Sequence, residues 1–325
     1  MTETPSLSRR DFLKLSAAGL AILALRGSAP EIGEVLKQNE IALAALRVEN
    51  QPDEDRLKRS IRILGQIERT LRTEPLDLII TPEYSFDLHY GQDRNFEPMP
   101  LVIEQKGSEF AVNQLKSHNA ARIVLEMGQS LAKDYKTNLL LATFNDSGSK
   151  TYPTTSIFIN TEGKIVGLKR KDNLPPIGKF EIKRGSQTYK ILPMICGEVW
   201  NKRVEDPVTS NFKTIPPDWV KENAPWDIFA HSMAQGDLDF DKLNAITQNN
   251  PISEDSLPHD ESWLRNTFNS YYEEYLPYLK SDSLILVADW NMAGCFNKNL
   301  TRIENYRDQG EYIVTQYNNF QENQK

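Results

Sequence analysis

Short, largely apolar runs that alternate with stretches of helical periodicity are the feature that most constrains the fold of this chain. Three such runs are residues 76–80, 191–195 and 226–233. Strands without polar alternation are buried on both faces, which requires a sheet covered by helices. Residues 53–72 place apolar side chains close to a 3.6-residue period, as a long amphipathic helix does. The sequence therefore predicts an α/β fold.

The remaining elements indicate that the sheet is mixed. Residues 154–160 and 164–169 form a predicted hairpin that turns at residues 161–163. A hairpin pairs its two strands antiparallel, so the sheet is not purely parallel. The other predicted strands are residues 41–48, 137–144 and 283–288, and the other predicted helices are residues 110–135, 217–223 and 261–279.

Composition and charge exclude several classes of function. The chain has 325 residues, of which 39% are hydrophobic and 26% charged, and its net charge is -7. An acidic chain with no basic stretch beyond residues 169–171 is not expected to bind nucleic acid. Two cysteines do not make a disulfide framework, and four scattered histidines show no zinc-like spacing, so no metal or cofactor is expected. Without a linker or repeat, residues 30–325 are predicted to form one domain.

The N-terminus has the pattern of an export signal. Arg9 and Arg10 are followed by Phe-Leu-Lys and by an apolar run over residues 15–25. This run is shorter than the ~20 residues that a membrane-spanning helix needs. The pattern resembles a twin-arginine signal peptide at residues 1–29. It predicts recognition by the twin-arginine export machinery and a periplasmic or other extracytoplasmic location, without a stable membrane span. The alternative interpretation is a buried or amphipathic N-terminal helix.

Three chemically useful side chains each come at the end of a predicted strand. They are Glu83 after residues 76–80, Lys171 at the end of the second hairpin strand, and Cys196 after residues 191–195. A thiol needs a base or a positive neighbour to react at neutral pH, and a carboxylate and an ammonium supply both. Taken singly, each residue has a simpler interpretation: a solvated loop acid, a charged turn and a buried core cysteine.

Together these residues resemble the carbon–nitrogen hydrolase (nitrilase) superfamily, which uses a Glu-Lys-Cys triad in this chain order. The residues that carry the resemblance are 82–83, 163–171 and 195–196, and the likeness extends over roughly residues 40–300. The resemblance implies a four-layer α-β-β-α sandwich of nitrilase type, with mixed sheets covered by helices. It also implies hydrolysis of a non-peptide carbon–nitrogen bond, with an amide favoured over a nitrile or a carbamoyl compound.

The resemblance further implies a role for each site residue. Glu83 is expected to take the thiol proton and later to activate water. Lys171 is expected to lower the thiol pKa and to stabilise developing negative charge, while Cys196 forms a thioester. Glu181 is the expected second glutamate of the site, and the backbone N–H of Gly197 is an expected oxyanion donor. The expected partners are a small-molecule amide or nitrile and a second copy of the chain. A cluster of tyrosines, Tyr271, Tyr272, Tyr275 and Tyr278, is more often helix packing, but the family buries similar surfaces against a second subunit, which implies a homodimer.

Three positions depart from the family pattern. Gly197 and Glu198 stand where the family has an aromatic residue and an aspartate, and Asn173 replaces a common histidine. Gly197, Glu198 and His231 are candidates for contacting the substrate, although a histidine within a strand is more often packed in the core. Residues 235–260 resemble a polar insertion that covers the site or an interface. Two hypotheses stay open: an exported amide hydrolase, and a catalytically silent binding or scaffold protein of the same fold.

Overall fold

The structure is a computed structural model and describes a defined part of the chain. The described residues are 40–49, 54, 56–83, 85–87, 119–144, 155–171, 175–196, 198, 203–205, 212–233, 272–290, 293–298, 307–308 and 312–318. All of them belong to Val35–Lys325, one of two compact units of the chain. The predicted signal at residues 1–29 lies outside the described residues.

Strands dominate the described part of the chain. The helices are α1 (Arg56–Thr73), α2 (Asn119–Asp134) and α3 (Asp218–Glu222), with a 3-10 turn at Leu276–Tyr278. The strands are β1 (Glu40–Val48), β2 (Leu78–Ile80), β3 (Phe86–Asp87), β4 (Asn138–Phe144), β5 (Thr155–Ile159), β6 (Ile165–Arg170), β7 (Ile177–Gly178), β8 (Glu181–Arg184), β9 (Gln187–Ile195), β10 (Arg203–Glu205), β11 (Phe212–Thr214), β12 (Trp226–Ser232), β13 (Leu279–Trp290), β14 (Ala293–Asn297), β15 (Arg307–Asp308) and β16 (Tyr312–Asn318). None of the described helices is both long and apolar enough to cross a membrane.

The strands follow one another in the order β7-β6-β5-β4-β2-β1-β13-β12-β9-β8. Strands β1 and β13 meet only at their ends, where Arg47 pairs with Asp289 and Val48 with Trp290. We therefore call β7 to β1, with β16, the first half-sheet, and β13 to β8, with β14, the second half-sheet. Both have parallel pairs at the centre and antiparallel hairpins further out. The expected mixed pairing is confirmed.

A single apolar layer lies between the two half-sheets. In β1, the alternating residues Ile41, Leu43 and Ala45 point into this layer together with Ile191 and Leu286 of the second half-sheet. The intervening residues of β1 belong to a different cluster, because successive side chains of a strand point to opposite faces. The rings of Phe158 and Phe180, from β5 and from the residue before β8, stack in the inner layer with centroids 5.3 Å apart.

Helices and turns cover the two outer faces. The first half-sheet packs against α1 and α2, whose buried residues include Ile63, Ile67 and Leu125. The second half-sheet packs against α3 and the segment before β13, through buried residues that include Trp219 and Tyr272. The order of layers is thus helix, sheet, sheet and helix. The predicted α/β class and the four-layer sandwich are confirmed.

Two predicted stretches differ in the structure. The predicted helix over residues 261–279 ends early in its described part: Tyr272 is helical, residues 273–275 form turns, Leu276–Tyr278 form a 3-10 turn, and Leu279 already begins β13. Pro277 lies in the first positions of that 3-10 turn, where its ring is tolerated but a longer helix is not extended through it. The sequence also missed β8 and β16, because neither carries a continuous apolar run.

Candidate active site

Cys196 lies directly after β9, where parallel strands of the second half-sheet end together. Ile195 pairs with Ser232 of β12, and Ser232 pairs with Ala288 of β13. The backbone of Cys196 has φ +40, a left-handed conformation that a residue with a Cβ rarely adopts. The side chain is half-buried. A sharp, strained turn therefore holds the thiol at the carboxyl edge of the sheet, where such strain often accompanies function.

Glu83 reaches the same edge from the first half-sheet. It follows β2 after two residues, and its backbone N–H donates to the carbonyl of Met233 at 2.9 Å. Met233 comes directly after Ser232, the partner of Ile195 in the parallel pair of β12 and β9. The hydrogen bond thus ties the end of the first half-sheet to the edge that carries Cys196. The Glu83 side chain is 0% exposed.

Lys171 provides a positive charge for the buried Glu83 carboxylate. Its Nζ donates to Glu83 Oε1 at 2.8 Å, and 23% of the Lys171 side chain is exposed. A buried carboxylate is costly unless it is paired in this way. The charge of Lys171 also lowers the pKa of His231, whose ring bonds to the Cys196 carbonyl. The structure therefore brings Glu83, Lys171 and Cys196 to one edge of the sandwich.

His231 is a buried histidine that contacts the cysteine backbone. Its Nε2 lies 3.0 Å from the Cys196 carbonyl oxygen, and its Nδ1 lies 2.6 Å from the Tyr272 hydroxyl. Burial lowers the pKa of His231 to about 3, so the ring is neutral at neutral pH. The ring is packed within the protein, as the strand position predicted, and both of its nitrogens face other protein groups.

The Glu198 carboxylate is also bonded to other groups of the protein. One carboxylate oxygen accepts a hydrogen bond from the backbone N–H of Ile195 at 2.8 Å. The other forms an ion pair with Nζ of Lys169, and neither side chain is exposed. These contacts place Glu198 next to the turn at Cys196. They give a structural role to a residue that departs from the family pattern. Lys169 was missed as a site residue because residues 169–171 were interpreted as one charged turn.

Glu181 is not brought to this edge. It lies in β8 and pairs with Lys190 of the antiparallel partner β9. At about 3.3 Å per residue, Lys190 stands roughly 20 Å before Cys196 along the strand. A glutamate side chain does not bridge that distance. The sequence placed Glu181 in a loop near the site, whereas the tight turn at Gly185, with φ +55, folds β8 back along β9.

Several predicted positions cannot be placed. Gly197, Asn173 and residues 235–260 lie outside the described residues. Within the described ranges, no cluster of histidine, cysteine, aspartate or glutamate side chains has the arrangement of a metal site. The other cysteine, Cys295, is buried in the inner apolar layer, and burial raises the pKa of its thiol.

Comparison with known proteins extends the description of the fold. No protein-family model matches the chain, and no curated protein sequence does so either.

Among solved structures, a carbon–nitrogen hydrolase from Helicobacter pylori G27 is 12% identical, with a TM-score of 0.50 over 86% of this chain and 89% of that chain. A variant of the Nesterenkonia AN1 amidase from the nitrilase superfamily is 12% identical, with a TM-score of 0.48 over 88% and 94%. Saccharomyces cerevisiae Nit3, a member of branch 10 of that superfamily, is 14% identical, with a TM-score of 0.46 over 86% and 91%. The likeness to the Helicobacter pylori structure supports the fold assignment: the chain has the four-layer sandwich of a carbon–nitrogen hydrolase.

Proposed function

We propose that this protein is a hydrolase of non-peptide carbon–nitrogen bonds, with Cys196 as its nucleophile and an amide as its favoured substrate. The observation that carries the proposal is the ion pair of Glu83 and Lys171 at the edge where Cys196 turns. A thiol, a buried carboxylate and a partly exposed ammonium in one place supply a nucleophile, a base and a fixed positive charge. The likeness in fold to a carbon–nitrogen hydrolase agrees with this chemistry.

The first half of the reaction forms a thioester. The Cys196 sulfur attacks the amide carbon, and its proton passes to Glu83. The ammonium of Lys171 stabilises the negative charge on the substrate oxygen as the carbon becomes tetrahedral. When the carbonyl re-forms, the carbon–nitrogen bond breaks, and the nitrogen takes the proton from Glu83 and leaves as ammonia or an amine.

The second half of the reaction consumes the thioester. Glu83 removes a proton from water, and the resulting hydroxide attacks the thioester carbon. The carbon–sulfur bond breaks, the sulfur regains its proton from Glu83, and a carboxylic acid is released. The sum is one amide and one water giving one acid and one ammonia or amine, with Cys196 returned to its starting state.

The test of this proposal is ammonia release from a panel of small amides, nitriles and carbamoyl compounds. We expect release by the wild-type protein and none by Cys196→Ala. Cys295→Ala is the matched control, because it removes the other thiol of the chain from a buried position. Equal release by wild type and Cys196→Ala would show that Cys196 is not the nucleophile.

The catalytically silent alternative rests on the departures at Asn173, Gly197 and Glu198. The contacts of Glu198 with Lys169 and Ile195 support the enzyme, because they give this departure a role in holding the strand end. Alkylation by iodoacetamide separates the two hypotheses. A silent protein labels slowly at Cys196 near neutral pH and releases ammonia from no compound of the panel.

We also propose that residues 1–29 direct export by the twin-arginine route, on the strength of the paired arginines and the short apolar run that follows. A double Arg9→Lys/Arg10→Lys variant is expected to stay in the cytoplasm of a host in which the unchanged chain reaches the periplasm. Export of both chains to the same extent would contradict the proposal.

A homodimer remains a proposal on weaker grounds. Two of the tyrosines that suggested a dimer surface, Tyr272 and Tyr275, are buried within the chain itself, so they do not supply an interface. Light scattering on the purified protein tests the oligomeric state directly. A mass of one chain across the accessible concentration range would exclude a stable dimer.

A further inference from the structure

The carbonyl group of Cys196 is bonded to a side chain that no part of the proposed reaction uses. His231 lies in β12, where it pairs with Met194 and Val287 of the flanking strands. Its ring is fully buried, and its Nε2 lies 3.0 Å from the Cys196 oxygen. Tyr272 bonds to the other ring nitrogen and also packs edge-on against the imidazole. Two consecutive buried hydrogen bonds thus connect Tyr272 through His231 to the backbone of Cys196.

The donor in each of these two hydrogen bonds follows from the groups that His231 contacts. A carbonyl oxygen only accepts hydrogen bonds, so Nε2 of His231 carries the proton that reaches Cys196. The ring is neutral, which leaves a lone pair on Nδ1. The Tyr272 hydroxyl therefore donates to Nδ1, and its burial keeps that hydroxyl protonated because it raises the pKa of Tyr272 well above 10. The Cys196 carbonyl thus fixes the tautomer of His231, and the Tyr272 hydroxyl complements it by donating to Nδ1.

The turn at Cys196 needs support of this kind. A residue with φ +40 is held in a sparsely populated conformation, which persists only where the surroundings fix it. On one side, the N–H of Ile195 is held by the buried carboxylate of Glu198 at 2.8 Å. On the other side, the carbonyl of Cys196 is held by His231 at 3.0 Å. The backbone is therefore restrained both before and after the residue that carries the thiol.

We propose that His231, held by a hydrogen bond from Tyr272 to its Nδ1, is a positioning residue that orients Cys196 for attack by donating to its carbonyl oxygen. This inference rests on the proposed function of Cys196 as nucleophile. It differs from the simpler interpretation, in which His231 is a core residue with satisfied hydrogen bonds. A core residue contributes to folding alone, whereas a positioning residue also changes the reaction rate of a protein that remains folded.

Three variants of the full-length protein separate these interpretations. His231→Phe keeps an aromatic ring but removes the donor to Cys196. His231→Gln offers an N–H at nearly the reach of Nε2, and Tyr272→Phe removes only the hydroxyl that donates to Nδ1. For each variant we would measure kcat and KM on the best amide of the panel, the rate of iodoacetamide labelling at Cys196, and the thermal unfolding temperature.

The expected results are specific to positioning. His231→Phe lowers kcat and the labelling rate about tenfold, the factor that corresponds to one lost hydrogen bond, while KM changes less than about twofold. His231→Gln recovers most of both rates. Tyr272→Phe lowers kcat about threefold, and ring nitrogen NMR shows a shift of the unprotonated Nδ1 signal of His231 as its hydrogen bond is lost. The four histidines of the chain are few enough for His231→Gln to assign the signal.

Contrary results overturn the inference. A folded His231→Phe protein with wild-type kcat and labelling rate reduces His231 to a core residue. If His231→Phe does not fold, the other two variants decide: wild-type kcat and an unchanged ring spectrum in Tyr272→Phe overturn the inference, as does a folded His231→Gln protein with kcat tenfold lower. A wild-type protein without turnover and with slow labelling at Cys196 overturns the proposed function and this inference together. Turnover that depends on Cys196 but not on His231 overturns this inference alone.

Discussion

Lys169 and Glu198 form an ion pair in which neither side chain is exposed to solvent. The other oxygen of the same carboxylate accepts the N–H of Ile195, the residue before Cys196. The ammonium of Lys169 also lies over the ring of Trp219, 5.7 Å from its centroid. This buried ion pair therefore lies next to the turn at the proposed nucleophile. Its carboxylate holds the backbone N–H of the residue that precedes the turn.

Breaking this pair on one side is expected to destabilise the protein strongly. Lys169→Met leaves the Glu198 carboxylate buried without its main counter-charge, and such losses cost about 3–5 kcal/mol. The double variant Lys169→Met/Glu198→Gln removes both charges but keeps an oxygen for the N–H of Ile195, so it should recover most of the loss. Urea unfolding of the three proteins measures the difference. Equal stability of the single and double variants would contradict an uncompensated charge as the cause.

Two of the glutamates assigned to the site from the sequence, Glu83 and Glu181, are expected to behave differently. Glu83→Gln removes the proposed base without changing the shape of the side chain, and we expect kcat to fall by about 10²–10⁴. Glu181→Gln is the matched control, because β8 holds Glu181 beside Lys190 and away from Cys196. It should keep the wild-type kcat. A comparable fall in both variants would mean that the chain places Glu181 at the site in solution.

Burial of His231 predicts a dependence of stability on pH. Desolvation, with a smaller contribution from the charge of Lys171, lowers its pKa from 6.5 to about 3. In the unfolded chain the ring binds a proton below pH 6.5, whereas the folded protein keeps it neutral down to about 3. The unfolded state therefore binds more protons in this window, and stability falls as the pH drops, by up to about 1.4 kcal/mol per pH unit from this residue.

His231→Gln isolates this contribution, because glutamine does not titrate. The free energy of unfolding, measured in urea at pH 7, 6 and 5, should fall less steeply for the variant than for the wild type. Above pH 7 the two proteins should show the same slope. Parallel curves through the whole range would mean that His231 titrates in the folded protein much as it does in the unfolded chain.

Local patterns in the sequence predicted the strands that precede the candidate site residues. Apolar runs that stop abruptly identified the strands before Glu83 and Cys196, and residues at such ends gather at one edge of a parallel sheet. The hairpin before Lys171 was visible from its turn at residues 161–163. Local periodicity was enough here because each strand is continuous and apolar.

The contacts that join distant segments were not predictable in the same way. Tyr272 meets His231 only because β12 and the segment before β13 pack together, and no spacing within either segment indicates that contact. Lys169 pairs with Glu198 across two half-sheets, which no local spacing indicates. Glu181 was misplaced because the polar strand β8 has no apolar alternation to reveal the hairpin that carries it away.

The left-handed backbone of Cys196 predicts an unusual preference for glycine at this position. Cys196→Ala and Cys196→Gly both lack the thiol, but alanine keeps a Cβ at φ +40, whereas glycine adopts that conformation freely. Relief of the strain is worth about 1–3 kcal/mol, and the greater freedom of glycine in the unfolded chain offsets about 0.5–1 kcal/mol of it. We therefore expect Cys196→Gly to be the more stable of the two by about 1 kcal/mol in urea unfolding.

Ser232, the neighbour of Ile195 in the parallel pair, provides the matched comparison. It lies within the extended strand β12, so Ser232→Gly should be less stable than Ser232→Ala, the reverse of the order at Cys196. The same order at both positions would show that the turn stores no strain. The predicted reversal would mean that the protein retains a strained residue at position 196, where glycine would be more stable. It would associate this backbone strain with the placement of the Cys196 thiol.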